Sequence, residues 1–116
     1  MTLAIIDDPS PNFGGRKEGK NPQYIVLHYT GTPSLEISLH NLKGGKRGHD
    51  VSAHYLIGEE GRVIRLVDEE KRAWHAGKSY WRGETDMNSV SIGIEIQNPG
   101  HEHGYRPFPN AQIKAV

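Results

Sequence analysis

The stretch SVSIGIEIQ, residues 89–97, alternates apolar and polar side chains and carries a glutamate among isoleucines. In an extended strand the isoleucines lie on one face, whereas Ser91, Gly93 and Glu95 lie on the opposite face. Carboxylates on strands usually face water, so this polar face is either solvated or the wall of a site that needs a carboxylate. The rest of the chain has to supply the other groups of such a site.

Three further segments predict the strands that would pair with it. YIVLHYT, residues 24–30, is a short run of apolar and β-branched residues. Because this run is apolar on both faces, we expect it to form a buried, central strand. The segments VSAHYLI (51–57) and GRVIRLV (61–67) flank the turn sequence GEEG, which indicates a β-hairpin.

Helices are predicted after the first strand and at the end of the chain. Ser34 can cap a helix that begins near Leu35, with leucines at helical spacing and the glycines at 44–45 ending it. Asn110 can cap a second helix. Strands and helices in this order predict an α/β fold, with a central mixed β-sheet flanked by helices.

The remaining segments are predicted as loops. Residues 1–23 are expected to form an irregular leader, rich in proline, glycine and charge, before a single domain at residues 24–116. The basic loop KGGKRGHD (43–50) is interpreted as solvated, with contact to an acidic substrate as the alternative. Residues 68–88 contain both tryptophans and predict a long, partly ordered loop with functional potential.

Composition excludes several classes of protein. Lysine plus arginine and aspartate plus glutamate both total 14 in 116 residues, which argues against nucleic acid or an anionic membrane as the main partner. The absence of cysteine excludes disulfides, a thiol nucleophile and a thiolate metal site. No segment approaches the length of a membrane span or of a signal-peptide core. The length suits one domain.

Seven histidines are many for this length, and histidine is the commonest metal ligand. His28 lies near the end of the apolar strand, where it is either a satisfied core residue or a ligand that faces a cleft. His54 lies within a hairpin strand, which favours a structural role. His75 lies in AWHAGKS beside a tryptophan, a setting typical of pocket walls. His101 and His103 form either a chelating pair or part of a wet loop.

The order of three motifs resembles a known family of enzymes. YIVLHYTGT, VSAHYLIGEEGRVIRLVDEEKRAWHAGKSYWRG and NSVSIGIEIQNPG together resemble the zinc-dependent N-acetylmuramoyl-L-alanine amidases, over roughly residues 22–112. The superfamily includes T7-type phage lysozyme and the peptidoglycan recognition proteins. The similarity is greatest to the bacterial branch that trims anhydro-muropeptides, which occurs in the cytoplasm and in the periplasm. The resemblance implies a peptidoglycan or muropeptide substrate.

The resemblance also assigns roles to individual residues. His28, in LHYT, matches the first zinc ligand of the family, and Glu95, in GIEI, matches its catalytic glutamate. His54 matches a position that is structural or supports the site from behind. Four further residues match the substrate-cleft segment: Trp74, His75, Trp81 and Asn88. Phage enzymes and peptidoglycan recognition proteins carry a catalytic tyrosine near the position of Ala53, and its absence is consistent with the bacterial branch.

These roles make chemical sense for amide hydrolysis. In the family, zinc lowers the pKa of a bound water to about 7, and a carboxylate moves its proton to the leaving amine. Gly93, on the same face as Glu95, is expected to leave room for substrate. The family's remaining zinc ligands are expected in a C-terminal segment that is not in this chain, so we expect weak or no zinc binding by residues 1–116. The alternative function is a muropeptide-binding module without zinc.

Overall fold

The structure, a computed structural model, describes residues 4–44, 51–77 and 79–116. Its main element is a five-stranded sheet that contains both hairpin strands and the strand with Glu95. From one edge to the other, the strands are β1 (Ile5–Asp7), β5 (Val63–Arg65), β4 (Tyr55–Ile57), β7 (Ser91–Ile96) and β3 (Tyr24–Tyr29).

Strand directions make this a mixed sheet, as predicted. Strands β4 and β5 form the predicted antiparallel hairpin, with Leu56 opposite Ile64. Strand β7 runs parallel to both of its neighbours, β4 and β3, and β1 runs parallel to β5. Long connections between parallel strands leave room for the helices that cover the sheet.

Strand β3 corrects one prediction, because it lies at the edge of the sheet and not at its centre. The side chains of Ile25, Leu27 and Tyr29 are 65%, 54% and 59% exposed. The alternate side chains, including His28, are half-buried on the opposite face. An apolar run shows that a strand can be covered on both sides, but only one side of β3 is covered by the part of the chain that the structure describes.

The segment predicted as an irregular leader contains two short strands, which is a second correction. β1 extends the main sheet, and β2 (Phe13–Gly15) pairs with β6 (Lys71–Ala73) in a separate two-stranded sheet. Strand β6 also gives order to the first part of the long loop at 68–88. Strands of three residues are too short for an alternating pattern to identify them.

The first helix, α1 (Leu35–Leu42), begins where the sequence predicts. The Ser34 hydroxyl oxygen accepts a hydrogen bond from the backbone N–H of Ile37 at 3.2 Å, so Ser34 is the N-cap. Leu42 packs in a core formed with the hairpin residues Ala53, Leu56 and Ile64. The helix ends just before the predicted glycine pair, and residues 45–50 of the basic loop lie outside the described residues.

Two shorter helices complete the fold. Helix α2 (Met87–Val90) leads directly into β7. Helix α3 (Asn110–Ala115) lies where a helix was predicted, but the prediction of Asn110 as its cap was wrong, because the N-cap is Pro109 and no side chain caps the first turn. The side-chain amide of Gln112 attaches α3 to the sheet. It donates hydrogen bonds to the backbone oxygen of Ile57, in β4, and to that of Gln97, which directly follows β7. Within residues 4–44, 51–77 and 79–116, each helix is too short or too polar to cross a membrane.

Candidate active site

His28 and Glu95 occupy paired positions on the neighbouring parallel strands β3 and β7. Paired residues of adjacent strands point to the same face, so the imidazole and the carboxyl lie side by side. Both line a cleft of about 360 Å³, together with Trp74, His75 and residues from helix α1. The structure therefore places the two groups that the sequence singled out, 67 positions apart in the chain, in one cleft.

Burial sets the proton affinity of the Glu95 carboxyl. Removal from water raises the pKa of Glu95 to about 7, because burial penalises the charged form. No hydrogen bond or ion pair to its carboxyl comes from the residues that the structure describes. Near neutral pH the carboxyl is thus present in both protonation states, which is the condition for accepting a proton in one step and donating it in the next.

A chain of hydrogen bonds runs from His28 into the protein. Nε2 of His28 lies 3.0 Å from Nδ1 of His75, and Nε2 of His75 lies 3.0 Å from Oγ of Ser91. The Ser91 hydroxyl also reaches the backbone oxygen of Met87 at 2.7 Å. Burial lowers the pKa of His28. Burial, and to a smaller extent the neighbouring His28, lower the pKa of His75 to about 3. Both imidazoles are therefore neutral at pH 7.

Gly93 has a different role from the one expected. A side-chain carbon added at Gly93 would overlap the imidazole ring of His75. The room that the glycine leaves is therefore filled by His75 and not by substrate, so the sequence interpretation was wrong on this point. Gly93 allows the His75 ring to lie flat against strand β7, within reach of His28.

The residues expected to contact substrate fall into two groups. Trp74 and His75 line the cleft with Glu95. Asn88 is 5% exposed, and its Oδ1 accepts hydrogen bonds from the backbone N–H groups of His75 (3.1 Å) and Ala76 (2.9 Å), so it holds this segment in place from inside. Trp81 is 51% exposed and does not line the cleft, and its contact with substrate stays a prediction.

His54 lies behind the cleft and is fully buried. Its Nδ1 accepts a hydrogen bond from the backbone N–H of Gly93 at 3.0 Å, so its proton is on Nε2, which donates to the backbone oxygen of Lys71 at 2.9 Å. Arg16 also approaches Nε2, at 3.4 Å, but two donors cannot bond each other. These contacts connect strands β6 and β7 through a residue that directly precedes β4, which supports the predicted structural role of His54.

Sequence reasoning missed Ser91 as a member of the site. Ser91 is fully buried and follows helix α2 directly, so its hydroxyl can return to the Met87 carbonyl four residues earlier. The signal was present in the alternation of residues 89–97, which places Ser91 on the same face as Glu95. The resemblance pointed to Asn88 as a substrate contact, but its role in holding the backbone of His75 and Ala76 gave no signal, because these partners lie 13 and 12 residues away.

The family implied by the resemblance uses zinc, so the donor set of the cleft matters. Across the described parts of the chain, no group of three or more histidine, cysteine or acidic side chains could hold a metal ion. His28 offers one imidazole whose Nε2 is already bonded to His75. His101 and His103 are exposed on a 3-10 helix at residues 101–103. Zinc sites in proteins use at least three side chains, so these residues do not fit a complete zinc site.

Comparison with known proteins agrees with the geometry. Residues 18–116 match the family Amidase_2, described as N-acetylmuramoyl-L-alanine amidase. The chain is 38% identical to the Escherichia coli K12 N-acetylmuramoyl-L-alanine amidase AmiD, over 79% of this chain and 36% of the relative. It is 34% identical to the Citrobacter freundii 1,6-anhydro-N-acetylmuramyl-L-alanine amidase AmpD, over 77% of this chain and 56% of the relative. The chain thus spans about a third to a half of these two bacterial proteins.

Solved structures show the same fold. A crystal structure of a Se-Met AmpD derivative matches with a TM-score of 0.79 and 29% identity, over 99% of this chain and 74% of that one. Escherichia coli AmiD, in complex with anhydro-N-acetylmuramic acid-L-Ala-D-gamma-Glu-L-Lys, matches with a TM-score of 0.65 and 38% identity, over 86% and 42% of the two chains. A Bacillus subtilis endolysin, 23% identical with a TM-score of 0.57, supports the fold alone. The chain belongs to the N-acetylmuramoyl-L-alanine amidase family.

Proposed function

We propose that this chain provides the catalytic carboxyl and the substrate cleft of an enzyme that hydrolyses the amide bond between N-acetylmuramic acid and L-alanine in muropeptides. The observation that carries this proposal is the half-buried Glu95 carboxyl, with its pKa raised to about 7, beside His28 in one cleft. Two of the similar proteins support the substrate class, since AmpD is named for the 1,6-anhydro form and AmiD holds an anhydro-muramoyl tripeptide.

The chemistry of an amide explains why such a carboxyl is needed. Water is a poor nucleophile near neutral pH, and the leaving amine must receive a proton before it departs. Glu95 in its ionised form takes a proton from the attacking water and then donates it to the amine nitrogen. General base and acid catalysis of this kind contributes roughly 10²–10⁴-fold in rate.

The cleft has the size and lining for part of a muropeptide. Its volume of about 360 Å³ is at the lower end of the range typical of small-molecule sites. Trp74 offers an aromatic surface, while His28, Glu95 and the helix α1 residue Asn41 offer polar groups. A site of this composition suits a sugar or stem peptide, which presents both apolar carbons and many hydrogen-bonding groups.

Zinc enters the proposal only through the family, and His28 is the candidate zinc ligand that the described residues place in the cleft. The other ligands would have to come from outside the described residues. The steps assigned here are therefore those of Glu95 and the cleft walls.

A second candidate function is muropeptide binding without hydrolysis. It is favoured by the incomplete set of metal ligands among the described residues, because the cleft with Trp74 and His75 could hold a ligand without a metal. This function does not need a carboxyl with a raised pKa at position 95.

An assay with anhydro-N-acetylmuramic acid-L-Ala-D-γ-Glu-L-Lys as substrate distinguishes hydrolysis from binding alone. The protein is produced from the longest reading frame that contains this chain, and mass spectrometry measures release of the free tripeptide. We expect release by the wild type and a loss of at least about 10²-fold in Glu95→Gln. The matched control is Glu70→Gln, since Glu70 is exposed and lies outside the cleft.

Binding of the same compound by calorimetry completes the test. The enzyme proposal expects Glu95→Gln to bind with an affinity within about threefold of the wild type, because its loss is in proton transfer. Binding by the wild type without any tripeptide release would overturn the enzyme proposal in favour of the binding module.

A further inference from the structure

We propose that His75 is a positioning residue that fixes the tautomer of His28, so that His28 carries its proton on Nε2 and keeps Nδ1 unprotonated. This inference rests on the proposed function for its purpose, since it concerns the imidazole beside Glu95. It depends on the chain of contacts from Met87 through Ser91 and His75 to His28.

Counting protons along this chain gives the assignment. A backbone oxygen can only accept, so the single hydroxyl proton of Ser91 goes to the oxygen of Met87, 2.7 Å away. The Ser91 oxygen must then accept from Nε2 of His75, at 3.0 Å. A neutral imidazole has one N–H, so Nδ1 of His75 is an acceptor. Nε2 of His28, at 3.0 Å, is therefore the donor.

The opposite direction of the chain fails at its inner end. If His28 accepted a hydrogen bond, Nδ1 of His75 would carry the proton and Nε2 of His75 would have to accept from Ser91. The Ser91 hydroxyl would then have no proton for the Met87 carbonyl, and two oxygens would face each other at 2.7 Å without a hydrogen between them. Only one direction satisfies every contact.

Contacts outside this chain of hydrogen bonds also fix the position of the His75 ring. Its backbone N–H donates to Oδ1 of Asn88, and its ring lies against Gly93, where no side-chain carbon would fit. The rings of His28 and His75 meet edge to face, with centroids 5.2 Å apart and an interplanar angle of 73°. Such an arrangement points one ring nitrogen at the other, as the hydrogen bond requires.

The direction of this hydrogen bond determines the state of the other ring nitrogen of His28, Nδ1. Nδ1 of His28 has no hydrogen-bond partner among residues 4–44, 51–77 and 79–116. Nε2 of His28 carries the proton that it donates to His75. Nδ1 therefore keeps its free lone pair and is the nitrogen that His28 presents to an electron-poor group in the cleft. His75 thus acts through His28, which explains how a half-buried histidine that hydrogen-bonds to His28 and Ser91, and not to Glu95, belongs to the site.

Nuclear magnetic resonance of the ¹⁵N-labelled 116-residue chain at pH 8, with a chelator present, tests this directly. Long-range proton–nitrogen correlations identify which ring nitrogen is protonated, and a scalar coupling across N–H···N reports the bond itself. We expect His28 to be protonated on Nε2 and coupled to Nδ1 of His75. Assignment uses His28→Gln and His75→Asn spectra.

Three variants separate positioning from simple packing. Ser91→Ala removes the acceptor that orients His75, and His75→Phe removes the acceptor for His28. In both, we expect the Nδ1–H form of His28 to rise by about fivefold or more, the change that loss of one hydrogen bond of ordinary net strength gives. His75→Asn places an amide oxygen near the former Nδ1, so it should restore the wild-type tautomer of His28.

Two results would overturn the inference: a wild-type His28 protonated on Nδ1, or an Nε2–H form that persists unchanged in folded Ser91→Ala and His75→Phe. Amide spectra establish that each variant is folded, and His75→Asn provides the comparison if either of the other two is not. The readout does not involve hydrolysis, so the tautomer can be refuted while the amidase proposal stands. In the same way, a failure to find amidase activity would leave the measured tautomer of His28 unchanged.

Discussion

His28 and Glu95 face each other across neighbouring parallel strands, with Leu27 and Ile94 paired one step before them on the opposite face of the sheet. The pairing joins two chemically different groups, a neutral imidazole and a carboxyl whose pKa burial raises to about 7. Because both line one cleft, a single bound water or substrate group could contact both.

The stability of the chain should depend on the protonation of Glu95. Its pKa is 4.5 when unperturbed and about 7 in the folded chain, so the folded state binds this proton more tightly than the unfolded state. This stabilising contribution is fully present below about pH 4.5 and is lost as pH rises through 7, and the total loss is about 3 kcal/mol. Glu95→Gln mimics the protonated acid. We therefore expect it to be more stable than the wild type by about that amount at pH 8.

Urea unfolding at pH 4.5 and pH 8 measures this difference. At pH 4.5 the wild type and Glu95→Gln should have free energies of unfolding within about 0.5 kcal/mol. Glu70→Gln, at an exposed position, should show no such change with pH. A Glu95→Gln variant that is equally or less stable than the wild type at pH 8 would mean that this carboxyl is well solvated.

Gly93→Ala should be destabilising because of His75. The added carbon overlaps the His75 ring, and overpacking of this kind costs about 1–3 kcal/mol. In a His75→Ala background the same change should cost much less, since the obstruction is gone. Gly15→Ala is the control, because a side-chain carbon there meets nothing within 4 Å. Equal costs of Gly93→Ala in both backgrounds would show that His75 does not occupy this space.

The edge position of β3 gives a contrast between two leucines. Leu56 is fully buried, whereas Leu27 is 54% exposed. Leu56→Ala should lower the free energy of unfolding by about 2–5 kcal/mol, while Leu27→Ala should lower it by about 1 kcal/mol or less. The losses are measured by chemical denaturation. Similar losses for the two variants would show that Leu27 is buried, as the apolar sequence of β3 suggests.

Zinc titration of the 116-residue chain tests the donor set. One imidazole cannot replace the three side chains of a usual zinc site, so calorimetry should show no binding tighter than about micromolar. The control is His28→Ala, which should change little. One-to-one binding with submicromolar affinity would contradict this expectation and would direct attention to His101 or His103 as ligands.

Short-range patterns predicted the strands that carry the candidate site, whereas the choice of His28 and Glu95 as site residues came from the resemblance of three motifs to a known family. Alternation placed Glu95 on a polar face, and the turn sequence GEEG identified the β4–β5 hairpin. The edge position of β3 could not be predicted, because an apolar pattern describes the strand but not the elements that cover it. The role of Gly93 was hidden for a similar reason, since its decisive neighbour, His75, lies 18 positions earlier and reaches it only through the fold.

The proton affinity of Glu95 is the property on which the proposed hydrolysis depends most. A carbon-13 titration of the glutamate carboxyls, with Glu95→Gln to assign the signal, measures it in the metal-free chain. We predict a midpoint near pH 7, because burial beside His28 penalises the carboxylate. A midpoint near the ordinary value of 4.5 would show a solvated carboxylate, and it would contradict the account of Glu95 as a base held in a shared cleft.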